Sequence, residues 1–270
     1  MAGTAYVIRG GVAGRERLRV LGRVMQPATR ALLERVGLAA GMSCLDVGCG
    51  GGDGSRELAR AVAPGGRVLG IDLDPTAVAL AQQETAALGL DGVTFRVAAV
   101  GDAEVGDSFD VAYARFILTH LPDAAAGVAW IAARLRPGGL LVVEDIDFRG
   151  HFCEPPHPAF ARYVDLYARV ARHHGADPDI GTRVPRLLLD AGCRDVDLHI
   201  VQPAGLRGDV KLLAPLTMAA IGERLLAAGL ASEAEIEETV GALDALARDE
   251  RVVLSLPRVV QAWGRTAEGR

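Results

Sequence analysis

The stretch Cys44-Leu45-Asp46-Val47-Gly48-Cys49-Gly50-Gly51-Gly52-Asp53-Gly54 constrains the fold more than any other. Ser43 to Val47 is mostly apolar and partly β-branched, which suits a strand buried in a parallel sheet. Five of the next seven residues are glycine, so the backbone can turn sharply and approach a ligand with no Cβ in the way. Ser55 to Val62 then reads as a helix whose first N–H groups point back at the bend. Strand, glycine bend and helix start make the nucleotide-binding corner of an α/β sheet.

Spacing narrows the ligand. A dinucleotide fingerprint needs G-x-G-x-x-G or a terminal Ala. Counted from Gly48 the last position is Asp53, and counted from Gly50 it is Ser55, so both registers fail. There is no Gly-Lys-Ser/Thr of a P-loop either. What stands instead is Asp46-x-Gly48-x-Gly50-x-Gly52, with a carboxylate two residues before the first glycine. An acid there disfavours a pyrophosphate and suits a ligand with a cationic amino-acid end.

Further segments follow in order. Arg67 to Asp72 reads as a second strand ending in an acid, and Val93 to Val100 as a third, followed by Gly101-Asp102-Ala103. Phe109 to Ala114 reads as a fourth, and Leu135 to Val143 as a turn entering a fifth. Asp74-Pro75 has the N-cap and first-turn signature of a helix that Gly89 closes. Strands alternating with helices predict a doubly wound, mostly parallel sheet. Over residues 40–147 this pattern resembles the class I S-adenosylmethionine-dependent methyltransferases, with Asp46 to Gly52 as their first motif.

That resemblance implies a seven-stranded Rossmann-like α/β fold with helical cap insertions, whose seventh strand is antiparallel; Val259 to Trp263 is the candidate. It implies S-adenosylmethionine as cofactor and S-adenosylhomocysteine as product. Asp46, Gly48, Gly50 and Gly52 would form the bend, Asp72 would accept from the ribose hydroxyls with Leu73 beside it, and Asp102 and Ala103 would meet the adenine. Arg115, at the end of the fourth strand, either contacts the methionine moiety or makes a surface salt bridge.

The proposed chemistry is in-line displacement at a sulfonium methyl, which needs positioning and exclusion of water more than a fixed catalytic group. A hydroxyl or ammonium nucleophile would gain from a general base. His120 after the fourth strand, and Asp145, Asp147 and His151 after the fifth, are the candidates. A His at a helix start is as readily a packing or capping residue. The histidines and cysteines lack metal-ligand spacing, so no metal is expected.

Outside this core the chain divides into an N-terminal lid and helix (1–40), an aromatic lid (148–181) and the rest of the sheet (182–270), which carries a helical insertion at 208–249. The helix is expected from Arg15 to Val36, with Pro27 in its middle and Thr29 as a polar gap; Tyr6 and Arg9 could fold over the cofactor. Phe148, Phe152, Phe160, Tyr163 and Tyr167 are half of all Phe and Tyr, and they follow the carboxyl end of a strand. They either line a substrate pocket or merely pack an extra helix on the sheet. Val210 to Leu230 is more uniformly apolar than the stretch after it, which either burial against the sheet or a partner subunit, as in a homodimer, or a role in covering the active site would explain. Ser232-Glu-Ala-Glu235 is a capping box for a helix with Ile236, Val240, Leu243 and Leu246 on one stripe.

A formal net charge of −5 with no Lys/Arg run argues against a nucleic-acid partner. No apolar run has the length of a membrane span, and no signal peptide is apparent. Four cysteines without paired spacing suit free thiols in a reducing cytoplasm. The expectation is a cytoplasmic methyltransferase acting on a small, hydrophobic or aromatic acceptor. High Ala, Gly and Arg content suggests a bacterial source and specialised-metabolite biosynthesis. A methyltransferase-like protein that steers a non-methylating cyclisation, or serves as a non-catalytic partner, would show the same cofactor corner.

Overall fold

The computed structural model describes residues 11–102, 105, 106 and 108–268. Helix α1 (Gly11–Arg35) leads into β1 (Ser43–Val47), α2 (Asp53–Ala61), β2 (Arg67–Asp72), α3 (Pro75–Ala87) and β3 (Val93–Val97). Strand β4 (Phe109–Arg115), α4 (Ala124–Ala132) and β5 (Leu135–Asp147) complete the first half. The second half holds β6 (Cys153–Glu154), α5 (Pro158–His173), α6 (Val184–Asp190), β7 (Arg194–Val201) and β8 (Ala204–Gly205). It ends with α7 (Leu213–Ala227), α8 (Glu233–Arg248), β9 (Val253–Ser255) and β10 (Arg258–Arg265).

The main sheet has the order β3-β2-β1-β4-β5-β10-β7. The β1–β2, β1–β4, β2–β3 and β4–β5 pairs are parallel, and β10 runs antiparallel to both β5 and β7. The antiparallel strand falls where the sequence places it. Alternation along the inner strands feeds two layers. Cys44, Val111, Tyr113 and Val142 pack against Leu32 and Leu33 of α1 and Leu58 of α2. Leu45, Ala112, Leu141 and Val143 pack on the other face against Val128 and Ile131 of α4 and Val184 and Leu188 of α6.

A third cluster joins α5, α7 and α8 to Met25 of α1 and to Ile146 and Phe148 at the exit of β5. Within 210–230, Leu213, Met218, Ile221 and Leu225 are buried among α5, α8 and α1, whereas Leu212 and Leu226 are exposed. The capping box forms as expected, with Ser232 and Glu235 bonding each other's backbone N–H. Asp74 caps α3 by accepting from Thr76 N–H at 2.8 Å.

Boundaries differ locally. Helix α2 starts at Asp53, two residues before the expected Ser55, because Gly52 in the left-handed region supplies the turn into it. Strand β3 ends at Val97 rather than Val100. Helix α1 begins at Gly11, within the expected lid, and continues through Pro27; Tyr6 and Arg9 lie outside the described residues. A small sheet of order β6-β9-β8 was not expected. Its strands are two or three residues long, too short to carry a periodic signal.

Candidate functional site

The glycine bend is held from beneath. The N–H groups of Gly48 and Cys49 both donate to Ile71 O at 2.9 Å, and Gly50 N–H donates to Asp72 Oδ2 at 2.8 Å. Gly48, Gly50 and Gly52 have φ of 71°, 51° and 78°, a region that favours glycine. At Gly52 a Cβ would also come within 2.9 Å of the Phe95 ring. At Gly50 it would meet only Leu18, at 3.7 Å, so it would project into the cleft above.

That cleft encloses about 1050 Å³, including solvent at its mouth. Its floor is Asp46, Gly48, Gly50 and Gly54, and its walls include Phe116, Phe148, Tyr163 and Tyr167. A second cavity of about 780 Å³ opens on the other side of the bend, lined by Asp72, Leu73, Ala98, Val100 and Ile117. Gly48 and His120 line both. Together they offer a long bipartite site at the carboxyl ends of β1, β2 and β4, where open α/β sheets take their ligands.

Asp46 is buried and accepts from Ser55 Oγ at 2.6 Å. Burial pushes its pKa up to about 6, against the Ser55 hydrogen bond and the charge of Arg115. Asp72 uses its second oxygen to accept from Asp74 N–H at 2.9 Å. Burial raises its pKa too, opposed by these backbone bonds. Leu73 is 56 % exposed beside it. Asp102 sits on the turn after β3, outside the lining of both cavities, and Ala103 lies outside the described residues.

Arg115 lines the main cleft, where its guanidinium donates to Thr29 Oγ1 at 3.3 Å, so it is no surface salt bridge. Thr29 donates in turn to Glu144 Oε1 at 2.8 Å. Tyr113 hydroxyl donates to the same oxygen, and Gln261 Nε2 donates to Glu144 Oε2 at 2.8 Å. The polar gap in α1 is therefore one member of a buried network joining α1, β4, β5 and β10. Sequence reading missed Glu144 and Gln261, because the Thr29–Glu144 and Gln261–Glu144 bonds each span more than a hundred residues.

Of the candidate bases, His120 alone lines the cleft. Burial, then the positive charges of Arg17 and Arg224, lower its pKa to about 3, so its imidazole is neutral at pH 7. Asp145 is buried beneath it and accepts from the N–H groups of Thr119 at 3.2 Å and Ile146 at 2.8 Å. It fixes the turn that carries His120.

Asp147 and His151 are not brought to the cleft. Asp147 is held by Arg149 at 2.7 Å. His151 lies 4.2 Å from the Phe148 ring, with Nδ1 3.0 Å from Phe148 O. Burial lowers its pKa to about 4. Of the five aromatics read two ways from sequence, Phe148, Tyr163 and Tyr167 both pack in the core and line the cleft, Phe160 only packs, and Phe152 is exposed. Helix α1 contributes Arg17, Leu18 and Leu21 to the cleft, and α7 contributes Leu213 and Thr217. Arg15 latches α1 over the bend by donating to Asp53 at 2.8 Å and Glu84 at 2.9 Å. Among the described residues no group of three or more His, Cys, Asp or Glu could hold a metal ion. None of their helices is long and apolar enough to cross a membrane.

A sheet of this order, with an acid-flanked glycine bend after β1 and an acid after β2, defines the class as the class I S-adenosylmethionine-dependent methyltransferases. Residues 38–173, half of the chain, match the family model described as Methyltransferase domain, and the chain belongs to that family. Among curated relatives it is 37 % identical over 141 residues to the O-methyltransferase cnsE of Penicillium expansum, covering 52 % of this chain and 50 % of that one. The chain spans about half the length of the first curated relatives it matches. Among solved structures, the YcgJ protein of Bacillus subtilis superposes with a TM-score of 0.60 at 16 % identity, over 90 % of this chain and 99 % of that one. The [4+2]-cyclase SpnF superposes with a TM-score of 0.55 at 21 % identity, over 90 % and 81 %.

Proposed function

We propose that this protein transfers a methyl group from S-adenosylmethionine to a small, hydrophobic or aromatic acceptor. The observation that carries this reading is a pair of cavities that share Gly48 and His120 in their linings, one rimmed by Asp72 and the other walled by aromatic rings. The donor set suits the cofactor: Gly50 leaves space where a side chain would stand, Asp72 retains acceptor capacity for ribose hydroxyls, and Asp46 faces the place for a cationic amino group. Relatives named O-methyltransferase cnsE and Nocamycin O-methyltransferase support a small-molecule acceptor methylated on oxygen.

Bound there, the cofactor supplies an electrophilic methyl on a good leaving group. The chain's residues align the acceptor and keep water out. Helices α1, α5 and α7 close the cleft with apolar side chains. Neutral His120 accepts a hydrogen bond from the acceptor hydroxyl and so fixes its oxygen; burial disfavours the imidazolium, so the hydroxyl proton passes through His120 to solvent as the oxygen is methylated. Asp145, through the backbone of the 118–120 turn, is a positioning residue. Asp147 and His151 have no part in this step.

Incubation of the purified chain with methyl-labelled S-adenosylmethionine and a panel of hydroxylated aromatic acceptors tests the reading. Label should pass to an acceptor with one S-adenosylhomocysteine released per transfer. Acceptor converted without that release would mark a non-methylating catalyst, and failure to bind either cofactor form would end the proposal.

A further inference from the structure

One cation of the main cleft has no carboxylate partner among the described residues. Arg17 is 9 % exposed, lines the cleft, and among the described residues its Nε has no acceptor and its guanidinium no carboxylate partner. Its neighbours on α1 are different: Arg15 is bound by Asp53 and Glu84, and Arg23 donates to Asp209 at 2.6 Å. A desolvated guanidinium without a partner is costly, and the cost is relieved when an anion enters beside it.

The surroundings say what kind of anion. Arg17 faces the cleft together with Phe148 and three hydroxyl-bearing side chains, Tyr163, Tyr167 and Thr217. It is close enough to His120 and Tyr163 for its charge to act on both. The glycine bend has a different cation, Arg115, which lies near Asp46 and Asp53. Two cations thus divide the cleft, one toward the bend and one toward α5 and α7.

We propose that Arg17 binds a carboxylate on the acceptor, so that the acceptor is an aromatic or otherwise apolar acid. A planar guanidinium fork matches a planar carboxylate with two parallel hydrogen bonds. The acid would then be anchored at one end by Arg17, with its nucleophilic atom reaching back past His120. This assignment rests on the cleft being the cofactor-and-acceptor site. The other source of the same chemistry is the carboxylate of the cofactor's own methionine moiety.

Calorimetric titration of the full chain, saturated with S-adenosylhomocysteine, tests it with matched pairs: benzoic acid and benzamide, cinnamic acid and cinnamamide, 2-naphthoic acid and 2-naphthamide. At least one acid should bind about tenfold or more tightly than its amide. Arg17→Met should level that pair, Arg17→Lys should restore part of the preference, and both should bind S-adenosylhomocysteine within about threefold of wild type. The proposal is overturned if no acid binds more tightly than its amide, a comparison that needs no variant to fold. It is also overturned if Arg17→Met weakens S-adenosylhomocysteine itself by about tenfold, which assigns the guanidinium to the cofactor. Wild-type protein that binds no S-adenosylhomocysteine would instead refute the reading of the cleft, a separate result.

Discussion

Asp72→Ala removes a carboxylate that serves two structures at once. In the free protein it accepts from Gly50 N–H at 2.8 Å and from Asp74 N–H at 2.9 Å. Hydrogen bonds to a charged acceptor contribute about 1.5–3 kcal/mol each, and Asp72 is half-buried, so the low end applies: roughly 3 kcal/mol of fold stability. A carboxylate has about four lone-pair sites, so about two remain for ribose hydroxyls. Losing that pair should weaken S-adenosylhomocysteine binding by about 2–4 kcal/mol, roughly 30- to 700-fold. Titration calorimetry reads the affinity and urea unfolding reads the stability. Adenosine against 2′,3′-dideoxyadenosine isolates the hydroxyls: wild type should prefer adenosine and the variant should not. A folded Asp72→Ala that binds S-adenosylhomocysteine within about twofold of wild type would refute the reasoning.

Three other tests bear on the site. Asp46 carries a folded-state pKa near 6, and a cationic amino group favours its ionised form; S-adenosylhomocysteine affinity should therefore fall as pH drops through 6, by up to about tenfold per unit, and Asp46→Asn should flatten the profile. Glu144→Ala leaves Thr29, Tyr113 and Gln261 without their shared acceptor; at about 1–3 kcal/mol per orphaned buried donor, a loss of about 4 kcal/mol is expected in urea unfolding, and a loss below about 1 kcal/mol would show that the network relaxes. His120→Ala should lower kcat by about a hundredfold while a folded variant still binds S-adenosylhomocysteine; an unchanged kcat would remove His120 from the transfer step.

Local signals carried most of the fold into the sequence. Asp74-Pro75, Ser232 with Glu235, and the apolar strands ending in Asp46 and Asp72 each depend on neighbours within a few residues, so they can be read in one pass. The cleft was legible at its glycine bend and in the aromatics after β5, but not in its charged members. Arg17 looks like any surface arginine on an amphipathic helix until α5 and α7 fold over it. Glu144 and Asp145 both sit in an apolar run near a strand exit, and no spacing rule tells which bonds a network and which braces a turn. Its position after a strand puts His151 at the rim, and nothing in the sequence shows Phe148 and Tyr163 closing around it. Long-range packing decided these positions, and it leaves no period in the chain.

Because β10 stands between β5 and β7 yet follows both in the chain, the sheet exists in two pieces until Arg258–Arg265 has left the ribosome. A nascent chain stalled before that point would show two bare edges, each with unpaired backbone groups ready to recruit another molecule. Closing the gap joins segments more than a hundred residues apart, a slow kind of contact. Biogenesis of this enzyme family member should accordingly lean on chaperone shielding late in synthesis, and nonsense truncations just upstream of Arg258 should aggregate rather than yield a smaller working core.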